Sequence, residues 1–556
     1  MLYDKIIAVK LSSEMISVMK NKHRKIKNKK TISYIILAVM CGMIVGTVIF
    51  LFKTAATAAI SLSLSAYSFV RSEPVYFPLL VLCAALLGLL ASFILKYAPE
   101  GKGGGIPTAI SVLRGLINFS WIKSIFSMFT SAMLTYLCAV PLGNEGPSVQ
   151  IGTAVGRGCI RLFSKKQEAW DRYLMTGGAC AGFAAATGAP LTGILFAFEE
   201  AQRRFSPIIF TASAITAVCA SAQMKLLCEL TGQSYSLFGF ELSEILPLTY
   251  LWVAAVIGLV CGICSELITK AYTSVRLIVT QKLRKLPFSL KMMLVFVIVA
   301  IFGFASPSLI GSGHDIVDAL IEGQGVWYLL ALYFLVRCTL MLFATNTGVT
   351  GGVFVPTLAF GAIIGALCAR LLTVLQLMPE QYYRIAVVIG IASILASLSK
   401  TPIMAIAFSL EALGAVSNIL CVIVGVAVAH LYVELRGILP FTDVIIEAKT
   451  EDAHRGKEAV VVNTNMTVAE GAFAVHHEIR DLLLPPSCVV LALHKNPAIP
   501  EHDRIGICAG DKIDVHYISY NVEETERVLE SYVGKQSTDV MIDVHAGSEN
   551  DSVPEL

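Results

Sequence analysis

Gly143-Asn144-Glu145-Gly146-Pro147-Ser148-Val149-Gln150-Ile151-Gly152 sets a lone carboxylate between two apolar runs, the first being the uncharged residues 124–143. An ionisable group at such depth is costly and marks a substrate pathway or a proton relay. Gly146 and Pro147 are helix breakers. A broken helix persists at membrane depth only where its freed backbone lines a cavity or is covered by protein. A helix opening at Pro147 aims its free N–H groups and positive dipole end at whatever lies beside Glu145. The stretch therefore reads as an anion site containing a carboxylate. The competing reading is a membrane helix whose glutamate is paired and silent.

The rest of the chain supports a membrane setting. Of 556 residues, 56% are hydrophobic and 15% charged, with a mean hydropathy of +0.72. Soluble domains carry about 25% charge, so the composition predicts a polytopic membrane protein. Uncharged runs near the ~20 residues a span needs cover 31–52, 77–95, 205–224, 247–265, 293–313, 338–369 and 412–429. Gly and Pro interrupt several of them, so counting runs does not count spans. A net charge of +3 argues against a nucleic-acid partner.

The fourteen cysteines sit mostly inside apolar runs and form no disulfide framework. Cys261 and Cys264 have redox spacing, but within a spanning run their expected role is packing. No metal site is expected. Asp4, Lys5 and Lys10 break up the N-terminus, so no cleavable signal is expected.

Residues 1–19 read as a short amphipathic helix. Seven basic residues follow (Lys20, Lys22, Arg24, Lys25, Lys27, Lys29 and Lys30). Set just before the first span, they predict a cytoplasmic N-terminal segment, 1–30, able to touch anionic lipid head groups. After two long spans, Gly101-Lys102-Gly103-Gly104-Gly105-Ile106-Pro107 lacks the Gly-Lys-Ser/Thr ending of a phosphate-binding loop. Bare backbone at a broken helix is the expected use of its glycines.

A second set of breaks echoes the first. Gly351-Gly352-Val353-Phe354-Val355-Pro356 opens a helix in a charge-free run, and Ser399-Lys400-Thr401-Pro402 opens another. Glycines fall at +5 and +9 from Pro147 (Gly152, Gly156) and from Pro356 (Gly361, Gly365). Nine residues after Pro190 comes Glu199; nine after Pro402 comes Glu411. Matched broken helices in two halves predict a transporter built from repeats, its site at the midplane between them.

Beyond about residue 436 the chain turns polar. Alternating segments at 460–462, 489–493 and 513–517, with a helix at 522–533, predict a small α+β domain followed by a flexible tail, 536–556. Seven of the ten histidines lie here (454, 476, 477, 494, 502, 516 and 545) without zinc-site spacing.

Three of these patterns resemble the CLC family of chloride channels and chloride/proton exchangers. Gly103-Gly104-Gly105-Ile106-Pro107 is similar to the family's GSGIP loop. Gly143-Asn144-Glu145-Gly146-Pro147 is similar to GREGP or GKEGP, and Gly352-Val353-Phe354-Val355-Pro356 to GxFxP. The resemblance spans residues 31–446. It implies an all-helical homodimer in the plasma membrane with cytoplasmic termini, inverted repeats, and one anion pathway per subunit. It also implies that Glu145 is a gating glutamate whose carboxylate competes with anion, and that Glu200 is the inner proton relay found in exchangers. A rival reading of Glu199 and Glu200 is a helix end neutralised by Arg203 and Arg204. By the same resemblance Gly104, Gly105, Ile106, Asn144, Gly146, Val353, Phe354 and Thr442 surround the anion.

The departures matter. Gly104 replaces the family's filter serine, which predicts weaker discrimination between chloride and nitrate. Asn144 replaces a basic residue. The inner tyrosine is replaced by Thr442, with Phe441 beside it as the other candidate, so loosened coupling is expected.

Residues 455–535 resemble the C-terminal regulatory module of RCK (TrkA-C) proteins through Ile479-Arg480-Asp481, Leu484-Pro485-Pro486, Ile499-Pro500 and Ala509-Gly510-Asp511. That resemblance implies a dimerising module with a possible nucleotide ligand; the membrane domain implies no cofactor.

The expected function is chloride/proton antiport, with a passive chloride channel of the same fold as the alternative. A CLC-type fluoride exporter is disfavoured by the chloride-type form of both loops. A potassium channel is disfavoured by the absence of a TVGYG-like filter. An enzyme using Gly311-Ser312-Gly313-His314 is disfavoured because adjacent Ser and His do not by themselves make a nucleophile and base.

Overall fold

A computed structural model describes residues 2–163, 168–238, 240, 242, 244–485, 487–499, 506–534 and 539–543. His502, His545, Pro486 and Pro500, invoked above, lie outside the described residues, as do the side chains of the basic segment.

The first half holds α1 (Leu2–Ser72), α2 (Phe77–Tyr97), α3 (Gly105–Leu113), α4 (Trp121–Leu137), α5 (Glu145–Phe163), α6 (Asp171–Thr187), α7 (Pro190–Phe196) and α8 (Pro207–Thr231). The second holds α9 (Leu251–Leu277), α10 (Phe288–Ala305), α11 (His314–Ile321), α12 (Trp327–Thr347), α13 (Phe354–Val374), α14 (Tyr383–Ser399), α15 (Pro402–Glu411) and α16 (Ile419–Leu435). Helix α17 (Phe441–His454) leads to the terminal domain. Among the described residues, nine helices are long and apolar enough to cross a membrane.

Two expected spans are redrawn. The run 338–369 is two helices, α12 and α13, parted where Gly348 and Gly351 take positive φ (86° and 157°). The run 293–313 ends as helix at Ala305, where Ser306 is extended ahead of Pro307, and the chain turns again at Gly311 and Gly313 (φ 75° and 112°). The expected helix starts at Pro147 and Pro356 lie two residues earlier, at Glu145 and Phe354, with each proline in the first turn.

The repeat is physical. The +5 and +9 glycines of α5 let the backbone of α6 approach: a Cβ at Gly152 would lie 2.1 Å from the Gly178 carbonyl, and one at Gly156 2.4 Å from that of Leu174. On α13, Gly361 and Gly365 hold the same relation to the Gly390 and Ala386 carbonyls of α14, at 2.6 and 2.4 Å. Small residues permit this close packing where lipid removes the hydrophobic drive between helices.

The terminal domain is a four-stranded antiparallel sheet: β1 (Val460–Thr467), β2 (Cys488–His494), β3 (Lys512–Ser519) and β4 (Asp539–Asp543), in the order β2-β3-β1-β4. Helix α18 (Val522–Val533) occupies the predicted span. The strand β4, paired with β1, lies within residues expected to be flexible tail, so the tail expectation is corrected there. This domain docks on the membrane body. Ser206 Oγ donates to Asp481 (2.8 Å), Arg172 to the Leu483 carbonyl (2.8 Å) and Arg204 to the Leu482 carbonyl (3.1 Å). Trp170 packs edge-on against Phe473, with ring centroids 4.9 Å apart.

Candidate functional site: a cradle of helix ends

Three helices start at one place. The N-termini of α3 and α5 approach so closely that a Cβ at Gly105 would lie 2.0 Å from the Gly146 carbonyl, and one at Gly146 2.6 Å from Gly352 Cα, just before α13. The two halves pass antiparallel there. Gly143 N–H donates to the Gly352 carbonyl and Gly352 N–H to that of Gly143, both at 2.7 Å. The hydroxyls of Tyr136 and Thr350 brace the junction by donating to the Gly143 carbonyl (3.0 Å) and the Gly101 carbonyl (2.7 Å). Helix N-termini leave N–H groups without intrahelical partners and carry partial positive charge, so several of them converging favour an anion. The expected lining is buried here: Gly104, Gly105, Ile106, Asn144, Gly146, Val353 and Phe354.

Glu145 is fully buried at the start of α5, with no side chain hydrogen-bonded to its carboxylate among the described residues. His314 Nε2 lies 3.8 Å from its Oε1. At the start of α17, Thr442 donates through Oγ1 to Glu200 Oε1 at 2.8 Å, while Phe441 turns away to pack edge-on against Tyr272 (5.3 Å). Thr442, not Phe441, therefore faces the buried inner acid. Arg114 holds the region from below, donating to the Glu200 and Ala201 carbonyls (2.8 and 3.1 Å) and pairing with Asp443 (3.2 Å). Arg203 pairs with Asp443 too, at 2.6 Å.

Glu199 and Glu200 have different jobs. Glu199 caps the opposite half, accepting from the Ile403 and Met404 amides at the start of α15 (2.9 and 2.6 Å). Glu411, its counterpart by spacing, returns the contact: it accepts from the Leu191 and Thr192 amides (both 2.8 Å) and the Thr192 hydroxyl (2.7 Å) at the start of α7. Neutralisation of the pair by Arg203 and Arg204 is not what the structure contains. Arg203 bonds Asp443 and Arg204 bonds the terminal domain.

Sequence reasoning passed over three supports. Lys449 Nζ, on α17, donates to the Lys102 carbonyl (2.7 Å), the Gly104 carbonyl (3.4 Å) and Thr108 Oγ1, holding the glycine loop from its inner side. Lys53, whose Nζ donates to the Ala186 carbonyl (3.3 Å), is the lone charge on an apolar face of α1 and was findable on that ground. Arg337 is buried and donates to the Ser308, Ile310 and Gly311 carbonyls (3.0, 2.6 and 2.7 Å).

A family model described as "Voltage gated chloride channel" matches residues 87–434. The chain belongs to that family. Its members are membrane transporters and channels. Among solved structures, the fold is similar to that of a slow cyanobacterial Cl-/H+ antiporter, with a TM-score of 0.69 at 24% identity over 76% of this chain and 99% of that one. It is also similar to a eukaryotic CLC transporter (0.62; 20% identity; 75% and 74% covered). A CLC-type fluoride/proton antiporter gives 0.60 at 19% identity, covering 72% and 95%. At these identities the likeness concerns the fold, that of a multi-pass membrane protein.

Proposed function

We propose that the protein exchanges chloride for protons, with Glu145 as gate and Glu200 as the inner proton relay. The observation that carries this reading is a pair of buried carboxylates, each set at a helix start. One opens α5, and the other is bonded to Thr442 at the first turn of α17. A carboxylate beside a bound anion is disfavoured in its charged form by burial and by like charge, so anion and proton occupancy become linked. Glu145 protonates as it leaves the anion's place. Glu200 then passes the proton toward the face carrying Arg114, Arg203 and Asp443.

A passive channel is the second reading, favoured by Thr442 and Gly104. A threonine hydroxyl already bonded to Glu200 presents less bulk at the inner mouth than a tyrosine would. The deciding measurement is chloride and proton flux from purified protein in liposomes, wild type beside Glu200→Gln. Chloride-driven proton uptake abolished by the substitution supports exchange; chloride flux without proton movement refutes it.

The plasma-membrane location, cytoplasmic termini, lipid contact at the basic segment and homodimeric state belong to the same proposal. For the terminal domain, a nucleotide ligand would find room in a cavity of about 730 Å³ against the membrane body, lined in part by Arg157, Arg172, Tyr520, Arg527 and Lys457. Absence of any nucleotide-induced thermal shift in the full chain removes that part.

A further inference from the structure

The loop Gly311-Ser312-Gly313-His314 is not idle. Ser312 Oγ and His314 Nδ1 are 2.8 Å apart, so the two side chains bond within the loop. The bond occupies Nδ1 and leaves Nε2 as the nitrogen facing Glu145 Oε1 at 3.8 Å. Phe238 packs on the ring, centroids 5.8 Å apart. The loop is pinned by the three carbonyl contacts of buried Arg337. The side chain of His314 is 26% exposed while that of Glu145 is 0% exposed, so the imidazole touches solvent and the carboxylate does not.

The side it faces can be placed. Helix α8 starts beside the terminal domain, where Ser206 bonds Asp481, and its 25 residues span about 37 Å. Phe238 lies in the loop beyond its far end. His314 therefore faces the membrane side opposite the terminal domain.

We propose that His314 is the outer proton relay of this protein, carrying protons between bulk water on that side and Glu145. The inference rests on the gating role proposed for Glu145. Hydronium from that side gives its proton to Nε2 and becomes water; a movement of about 1 Å brings Nε2–H to hydrogen-bond distance of Oε1. The N–H bond then breaks as the O–H bond forms, leaving neutral imidazole and a neutral carboxyl, and the reverse sequence releases a proton. Histidine can take and return a proton at one nitrogen, but burial first, and then Lys53 and Arg337, hold His314 below the ordinary 6.5, at about 4. The charged groups facing it are Glu145 from α5, Lys53 from α1, Arg337 from α12 and the neighbouring Asp315. Burial and, after it, Lys53 and Arg337 oppose a persistent imidazolium, which favours brief occupancy over a standing ion pair.

The test is flux in liposomes as a function of pH on the His314 side, for wild type, His314→Gln, Ser312→Ala and Glu145→Gln. Loss of a proton-transfer group costs about 10²-fold where that transfer limits. The His314→Gln protein should therefore match wild type within about twofold near pH 4.5, where hydronium reaches Glu145 directly, and fall at least tenfold behind near pH 7.5. Added imidazole should restore it, and Ser312→Ala should shift the profile in the same direction by less. A profile superimposable on wild type overturns the proposal. Uniform loss at every pH without imidazole rescue overturns it as well, since that marks a structural role. Should Glu145→Gln leave the pH dependence intact, the reading of Glu145 itself fails. Should Glu145→Gln abolish that dependence while His314→Gln does not, only the relay fails.

Discussion

Glu411→Ala offers the sharpest test of the reciprocal caps. It removes one carboxylate that accepts from two amides and a hydroxyl at the start of α7. Losing a side-chain cap costs about 0.5–2 kcal/mol, and losing a negative charge at a helix N-terminus about 0.3–1 kcal/mol more. Leu191 is half exposed, so water or lipid head groups recover part of its bond, and about 2 kcal/mol remains as the expected cost. Unfolding of the purified protein in detergent, followed by tryptophan fluorescence, should show Tm lowered by about 2–6 °C, since a large body shifts only a few degrees per kcal/mol. Glu199→Ala should give a smaller fall, because it removes two contacts instead of three. The double variant should add the two costs, the caps lying at different helix ends. Tm values within about 1 °C of wild type for both single variants would refute the claim that these carboxylates bind the halves together.

Gly105→Ala should abolish chloride flux at near-normal yield of folded protein. Its Cβ would sit 2.0 Å from the Gly146 carbonyl, and reaching ordinary contact near 3.4 Å displaces a helix end by more than an ångström; flux within about twofold of wild type would refute this. Lys449→Met should release the glycine loop from its inner support and lower chloride flux several-fold without altering proton coupling, read as separate chloride and proton rates. In the terminal domain, Asp511→Asn should speed hydrogen exchange at Asn496 and Cys508 in the full chain. Burial pushes the Asp511 carboxyl up, but bonds from both those amides and from Lys495 outweigh it and hold it below the usual value. A depressed folded-state pKa gives stability that is present above the ordinary value, about 3.9, and lost as pH falls through the folded one. Wild-type exchange should therefore accelerate in acid below that value, and the variant should lack this step.

Much of the cradle was legible from sequence because its physics is local. Glycine and proline in apolar runs announce broken helices, and Glu145 among them announces charge. The repeated offsets behind Pro147 and Pro356, and behind Pro190 and Pro402, were legible too, since each half solves the same packing problem with the same small residues. What those offsets meant was not. That Glu199 caps α15 and Glu411 caps α7 depends on which half faces which, and spacing along one chain says nothing of contacts across 204 and 220 residues. Of the two partners of His314, Ser312 was legible as a near neighbour in sequence, whereas Glu145 is a neighbour only in space. The tail strand β4 was missed since five residues carry little periodic signal, and its stabilisation comes from pairing with β1.

The reciprocal caps also bear on how the protein is made. A ribosome adding about 5–20 residues per second needs some ten to forty-five seconds between the amides at Leu191 and the carboxylate at Glu411, 220 residues later. For that interval the leading amides of α7 lack the carboxylate that meets them in the finished fold. The helix depends meanwhile on neighbours already delivered, or on the insertion machinery shielding it. Stalling synthesis just before and just after Glu411 should separate a protease-sensitive first half from a resistant one, so a newborn chain would reach stability in a single late step.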